Sequence, residues 1–237
     1  MPMTDSSGLP APELLAQLQL QASCTQATPA EETIALRNLI ARSDMSAIVV
    51  VRLWRELAGE RRRRSTDPPV AVHGGRFQSR TADLARARFG AAARFIGMEK
   101  PETALAAARP PGGAAVIALD PDSAWWLRLL AEPDLRVFAA LPDLACYGAR
   151  SAFAVGAVET GPTGADETYF VTDAAGRIQT VIDALQSAGL AASPIQDTGG
   201  LKLIALAGYV QAQDPRLDAA PGRLKGVIGA SPLPLDL

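Results

Sequence analysis

The chain has 237 residues, 48% of them apolar, with 23 Lys and Arg against 25 Asp and Glu and a formal net charge of −2. At roughly 100–150 residues per domain this is one large domain or two to three small ones. The balance of charge and apolar content excludes a disordered chain and a strongly basic nucleic-acid binder. No apolar run approaches the ~20 residues of a membrane span. The start, MPMTDSSGLP, carries neither a basic leader nor an apolar one, and the two widely spaced cysteines, Cys24 and Cys146, read as reduced thiols. A cytoplasmic protein with no membrane and no nucleic-acid partner is expected.

Residues 1–12 are polar and proline-containing. Pro12 stands at the first position of a short helix over Glu13–Gln21, with Leu14, Leu15 and Leu18 apolar. A Ser/Thr/Gln connection reaches Thr28. Ile34, Leu36, Leu39 and Ile40 then follow the spacing of one helix face. Arg42-Ser43-Asp44-Met45 breaks that pattern, and Ser46 can cap a further helix. In it, Ile48, Val51, Leu53, Trp54 and Leu57 form the apolar side, and Arg52 and Glu56 are an i, i+4 pair. The β-branched run Ile48–Val51 suits a strand as well, but the spacing carries on through Trp54 and Leu57 without a turn residue, which favours helix. The basic run Arg61–Arg64 closes this helix, complements its dipole and is expected to stay solvated.

Ser65-Thr66-Asp67-Pro68-Pro69 is the clearest linker, because each proline forces the residue before it out of helical geometry. Beyond it strands and helices alternate. Val70–Val72, Arg94–Ile96 and Ala114–Leu119 read as strands, and Ser79–Phe89 and Lys100–Ala108 as helices. That order predicts a parallel α/β unit. The single histidine, His73, sits in the first strand–helix loop and reads as a loop residue. Pro121–Leu130 reads as a helix whose Trp125 and Trp126 belong to the core or an interface, and Val137–Ala140 as another strand. The last 70 residues read as strand, helix (Arg177–Ala188, closed by Gly189), two strands about an Asp197-Thr198-Gly199-Gly200 hairpin turn, short helix (Asp214–Ala219) and closing strand (Val227–Ser231). This is a ferredoxin-like βαββαβ pattern. The expected fold class is thus a multidomain α+β and α/β chain: helical segment 1–66, small α/β unit 67–162, and ferredoxin-like unit 163–237.

Three stretches carry a resemblance. TPAEETIALRNLIARSDMSAIV followed by VVVRLWRELAGE resembles the last two helices of the all-helical chorismate mutases. VAVHGGRFQSRTADLARARFG resembles the opening of prephenate dehydratases, with Gly74, Phe77 and Ser79 at matching positions of the strand-end loop. Further on, Ser151-Ala152-Phe153 stands where that family has Thr-Arg-Phe, and Pro162-Thr163-Gly164-Ala165-Asp166-Glu167-Thr168 matches its passage to the next unit. The C-terminal unit is similar to an ACT domain, with Gly176-Arg177-Ile178 in place of a Gly-Ala-Leu effector turn and VIGASPLPL at its end. The order of the three matches that of the bifunctional chorismate mutase–prephenate dehydratase family.

The resemblance implies a chorismate mutase-like protein of aromatic amino-acid biosynthesis. That reaction is a pericyclic rearrangement of a dianion. It needs cations for two carboxylates and a donor near the breaking ether, and implies no cofactor and no metal. Glu32 matches the family's glutamate, while Thr28 and Glu31 stand where it has Asp and Arg. Two readings stay open. One is a working mutase using Glu32 with Arg37 and Arg52. The other is a catalytically inactive binding or regulatory protein that kept the scaffold, with Gly74, Phe77, Ser79, Ser151, Phe153 and Gly176 as ligand-binding positions. A small anionic metabolite of the aromatic pathway and a second copy of the chain, in a homodimer, are the expected partners.

Overall fold

The structure, a computed structural model, describes residues 27–236 together with Glu13, Ala16 and Gln17. Those three are helical, and the rest of the helix expected over Glu13–Gln21 lies outside the described residues. Helix α1 (Pro29–Ala41) begins with a reciprocal cap: the Thr28 side chain accepts from the Glu31 amide, and the Glu31 carboxylate accepts from the Thr28 amide at 2.8 Å. Helix α2 runs from Ala47 to Arg64, so the β-branched run is helical. Leu36, Leu39, Val50, Val51 and Trp54 form a small core between the two helices, closed by Leu144. Among the described residues the N-terminal segment therefore supplies two helices laid on the α/β body, and no free-standing bundle is seen.

The body follows as β1 (Val70–His73), α3 (Gln78–Phe89), β2 (Phe95–Gly97), α4 (Pro101–Ala108), β3 (Ala115–Ala118), β4 (Arg136–Leu141), β5 (Ala152–Gly156), β6 (Asp166–Thr172), α5 (Ile178–Ser187), β7 (Ala192–Thr198), β8 (Leu201–Ala207) and β9 (Lys225–Pro232). The nine described strands form one mixed sheet in the order β2-β1-β3-β5-β4-β9-β6-β8-β7. β1 pairs in parallel with β2 and β3, and β5 runs antiparallel between β3 and β4. On the other side β9-β6-β8-β7 is antiparallel throughout, the strand order of a ferredoxin-like unit.

The two regions meet along β4 and β9, which pair in parallel at Val137 and Gly229. Gly229 is needed there: its φ is +146°, and a Cβ would stand 2.2 Å from the Val137 carbonyl oxygen. The core crosses the same seam. Trp126, Leu129, Val137 and Phe153 pack in one cluster with Tyr169, Val171, Leu203 and Ile228.

Three elements differ from the sequence reading, one being the short helix expected over Asp214–Ala219, which is a 3-10 segment over Pro215–Ala219 capped by Asp214. The helix expected over Pro121–Leu130 is a 3-10 segment over Trp125–Ala131. Its indoles are tied down, Trp125 Nε1 donating to the Ala118 carbonyl at 2.8 Å and Trp126 Nε1 to Gln196 Oε1 at 3.3 Å. Strand β5 carries no strand signal in the sequence. All five of its residues are buried, so the alternation that marks a half-exposed strand is missing. No described helix is long and apolar enough to cross a membrane.

Candidate functional site: an arginine-lined cleft

Helix α2 crosses the end of α3 at very short range. A Cβ on Gly59 would lie 2.7 Å from the Phe89 carbonyl oxygen, and one on Gly90 (φ +82°) 2.2 Å from the Arg55 carbonyl oxygen. This close approach brings the C-terminal arginines of α2 beside Arg88 on α3 and Glu32 on α1. Between them opens a cleft of about 470 Å³, lined also by Phe89, Phe138, Val158 and the Gly112–Ala114 backbone. That volume lies within the range of small-molecule sites, ~300–1,000 Å³.

Charge in the cleft is ordered. Glu32 Oε1 lies 3.5 Å from Arg61 Nη2, and its Oε2 lies 4.0 Å from Arg88 Nη2. Arg88 Nε stands 3.6 Å from Asp143 Oδ2, which accepts from Arg55 Nη2 at 2.7 Å. The result is an alternating chain, Arg61–Glu32–Arg88–Asp143–Arg55, drawn from three helices and the β4–β5 loop. Arg88 is buried, with its guanidinium 5.6 Å from the Phe89 ring centre and 6.0 Å from that of Phe138. Burial, and next the like charge of Arg55, push its pKa from 12.5 down to about 10, which leaves it charged at neutral pH. Arg62 is committed to structure: its Nη2 donates to the Pro68 and Gly112 carbonyls at 3.0 and 2.6 Å. Burial lowers its pKa, and Asp67 opposes that shift. Three arginines against Glu32 and Asp67 leave the lining with a net charge of +1.

The residues singled out from sequence are scattered. Glu32 is in the cleft. Arg37 is not: it donates to the Thr163 carbonyl and hydroxyl and to the Ala165 carbonyl, pinning α1 to the turn before β6. In that turn Asp166 accepts from the Thr163 amide and hydroxyl and the Gly164 amide, which gives the Pro162–Thr168 motif a structural role. Arg52 is exposed and donates to the Tyr147 hydroxyl at 3.0 Å, in a separate pocket.

Gly74 is buried at the end of β1, and its amide is already taken by Gln78 Oε1 at 2.7 Å. Phe77 is exposed under Arg76, and Ser79 is exposed on α3. Phe153 is fully buried, its ring centre 4.4 Å from that of Tyr169. The Ser151 hydroxyl is buried without a partner in the structure. Gly176 is an exposed turn residue with φ +85°. These positions therefore do not converge on one site.

The structure adds Arg61, Arg62 and Arg88 to Glu32. Arg61 and Arg62 belong to the run expected to be solvated. That reading fits Arg63 and Arg64, which are 52% and 73% exposed and both pair with Glu60. Among the described residues no group of three or more His, Cys, Asp and Glu side chains is arranged to hold a metal.

Comparison with family models and with curated proteins gave no match. Among solved structures the chain is similar to GqqA, described as a novel type of quorum quenching acylase, at 13% identity and a TM-score of 0.45, covering 69% of this chain and 94% of that one. It is similar to a prephenate dehydratase from Streptococcus mutans at 10% identity and a TM-score of 0.36, covering 69% and 98%. A prephenate dehydratase in complex with L-Phe from Arthrobacter aurescens aligns at 14% identity and a TM-score of 0.41, covering 69% and 90%.

Proposed function

We propose that the arginine-lined cleft binds a small carboxylated ring compound of the chorismate and prephenate class, and that the chain is a chorismate mutase-like protein of aromatic amino-acid biosynthesis. The observation that carries this is the convergence of Arg61 and Arg88 on Glu32 beside the Phe89 and Phe138 rings. Guanidinium forks suit carboxylates, and the two rings offer an apolar wall to a cyclic substrate. In this reading Arg61 and Arg88 take the carboxylates and hold a compact conformer. Glu32, between them, is the hydrogen-bond partner of the substrate hydroxyl.

A second reading is binding without turnover. It is favoured by one feature: Thr28 and Glu31, which stand where the mutases have Asp and Arg, are spent on capping α1 and offer the cleft no further cation. Loss of chorismate absorbance with purified protein separates the two. Turnover that falls about tenfold or more in Arg61→Ala supports the mutase. Calorimetric binding of prephenate with no chorismate loss supports the second reading, and neither signal removes the cleft from both. The homodimer remains a proposal, supported by the exposed Ile34 and Val49 on α1 and α2 (41% and 38%). Sedimentation of a monomer at low micromolar concentration would contradict it.

A further inference from the structure

On the far side of the Arg88–Asp143 contact lies a second pocket of about 310 Å³. It is built by α2, α3 and the β4–β5 loop, and three arginines line it: Arg52 and Arg55 from α2 and Arg86 from α3. Its two carboxylates are already engaged. Both Glu56 oxygens accept from the Ala91 amide at 3.1 Å, and Asp143 holds Arg55. Arg52 has no carboxylate partner among the described residues, and bonds only the Tyr147 hydroxyl. That hydroxyl accepts from Arg52 and keeps its own proton to donate. Arg55 Nε is buried and makes no hydrogen bond in the structure. Arg86 Nη1 also pairs with Asp83, outside the lining, at 3.1 Å, so the lining carries three guanidinium groups against two carboxylates, a net charge of +1, and Arg52 is its arginine without a carboxylate partner among the described residues.

We infer that this pocket is a second anion site, distinct from the Glu32 cleft, and that it takes a phosphoryl group. A planar carboxylate is served by one guanidinium fork, whereas the oxygens of a phosphoryl group accept donors from several directions. Here donors come from three elements. The pocket is near the small end of ligand sites, so it fits inorganic phosphate or a small phosphate monoester whose organic part lies on Val51, Ala87 and Leu144.

The test is calorimetric titration of the full chain with inorganic phosphate, phenyl phosphate and malonate. Saturable binding of phosphate or phenyl phosphate is expected with a Kd of about 1 mM or tighter. Tighter phenyl phosphate marks a monoester site, and tighter inorganic phosphate marks free phosphate. Arg52→Ala, an exposed change, should weaken phosphate binding about tenfold, the loss of one charge-assisted contact. Tyr147→Phe should weaken it less, and Arg61→Ala should leave it unchanged. Prephenate binding in the Glu32 cleft should survive Arg52→Ala, so the two sites stand or fall separately. Absence of saturable phosphate binding, malonate binding as tightly as phosphate, or an Arg61→Ala effect equal to that of Arg52→Ala would each overturn the inference. Circular dichroism and melting temperature check that the variants fold.

Discussion

Arg88 is the residue on which the cleft turns. It is buried between Glu32 and Asp143, and removing it leaves two carboxylates facing each other's field with little solvent to screen them. Arg88→Met is expected to lower unfolding free energy by about 1–2 kcal/mol, measured by urea denaturation, because Glu32 and Asp143 each lose one of two cationic partners and keep the other, Arg61 and Arg55. Glu32 makes the opposite kind of prediction. Glu32→Gln raises the net charge of the lining from +1 to +2, so prephenate affinity should rise several-fold while any chorismate turnover falls. Affinity that drops would mean Glu32 positions the arginines. At this scale the sequence was only partly legible. Glu32 could be found because its neighbourhood resembles a known helix start. Arg88 could not, since its partners lie 56 and 55 positions away along the chain and its own helix reads as an ordinary amphipathic one. The run of four arginines could not be divided by spacing alone. Arg61 and Arg62 face inward only because α2 crosses α3 where it does.

Among the elements, α2 is the one whose placement matters most, and glycine sets that placement. Gly59→Ala puts a methyl group against the Phe89 carbonyl and the Gly90 backbone, neither of which can swing aside. A loss of about 2 kcal/mol is expected from this overpacking, together with weaker anion binding in the cleft as Arg61 moves away from Arg88. Its C-terminal end carries a pH signature. Hydrogen bonds from Arg63, and then from Arg64, hold the Glu60 carboxyl at about 2, below the ordinary 4.5. A carboxyl whose pKa is lowered by folding stabilises above its unfolded value, so this contribution is complete above about pH 4.5 and is lost as pH falls towards 2. A carbon-detected titration of Glu60 should show that low midpoint, and Arg63→Ala should raise it. Helix and strand types were mostly readable from periodicity. Two of the misses share a cause: where an element is buried all round, as β5 is, or tied by indoles to the sheet, as Trp125–Ala131 is, alternation no longer reports its shape.

In the whole molecule, the core that spans β4 and β9 couples the two sides of the sheet. Trp125 and Trp126 sit in it, and Trp54 lies under the helices. Unfolding followed by tryptophan fluorescence and by far-ultraviolet circular dichroism should give one coincident transition. Two separated midpoints would show that the seam yields first. Apart from β5, the order of the strands along the chain was legible, but their assembly into one sheet was not. Nothing in the spacing of Val137 and Gly229, 92 positions apart, reveals that they are neighbours.

That seam also governs how the protein can be divided. A fragment ended after Gly161 would keep β4 but lose β9, leaving a bare backbone ribbon beside Trp126, Leu129 and Phe153, now stripped of their cover from Tyr169, Val171, Leu203 and Ile228. Such a piece invites stacking with its own copies. Recombinant halves should collect as inclusion bodies, and co-expressing them as separate polypeptides should restore soluble material.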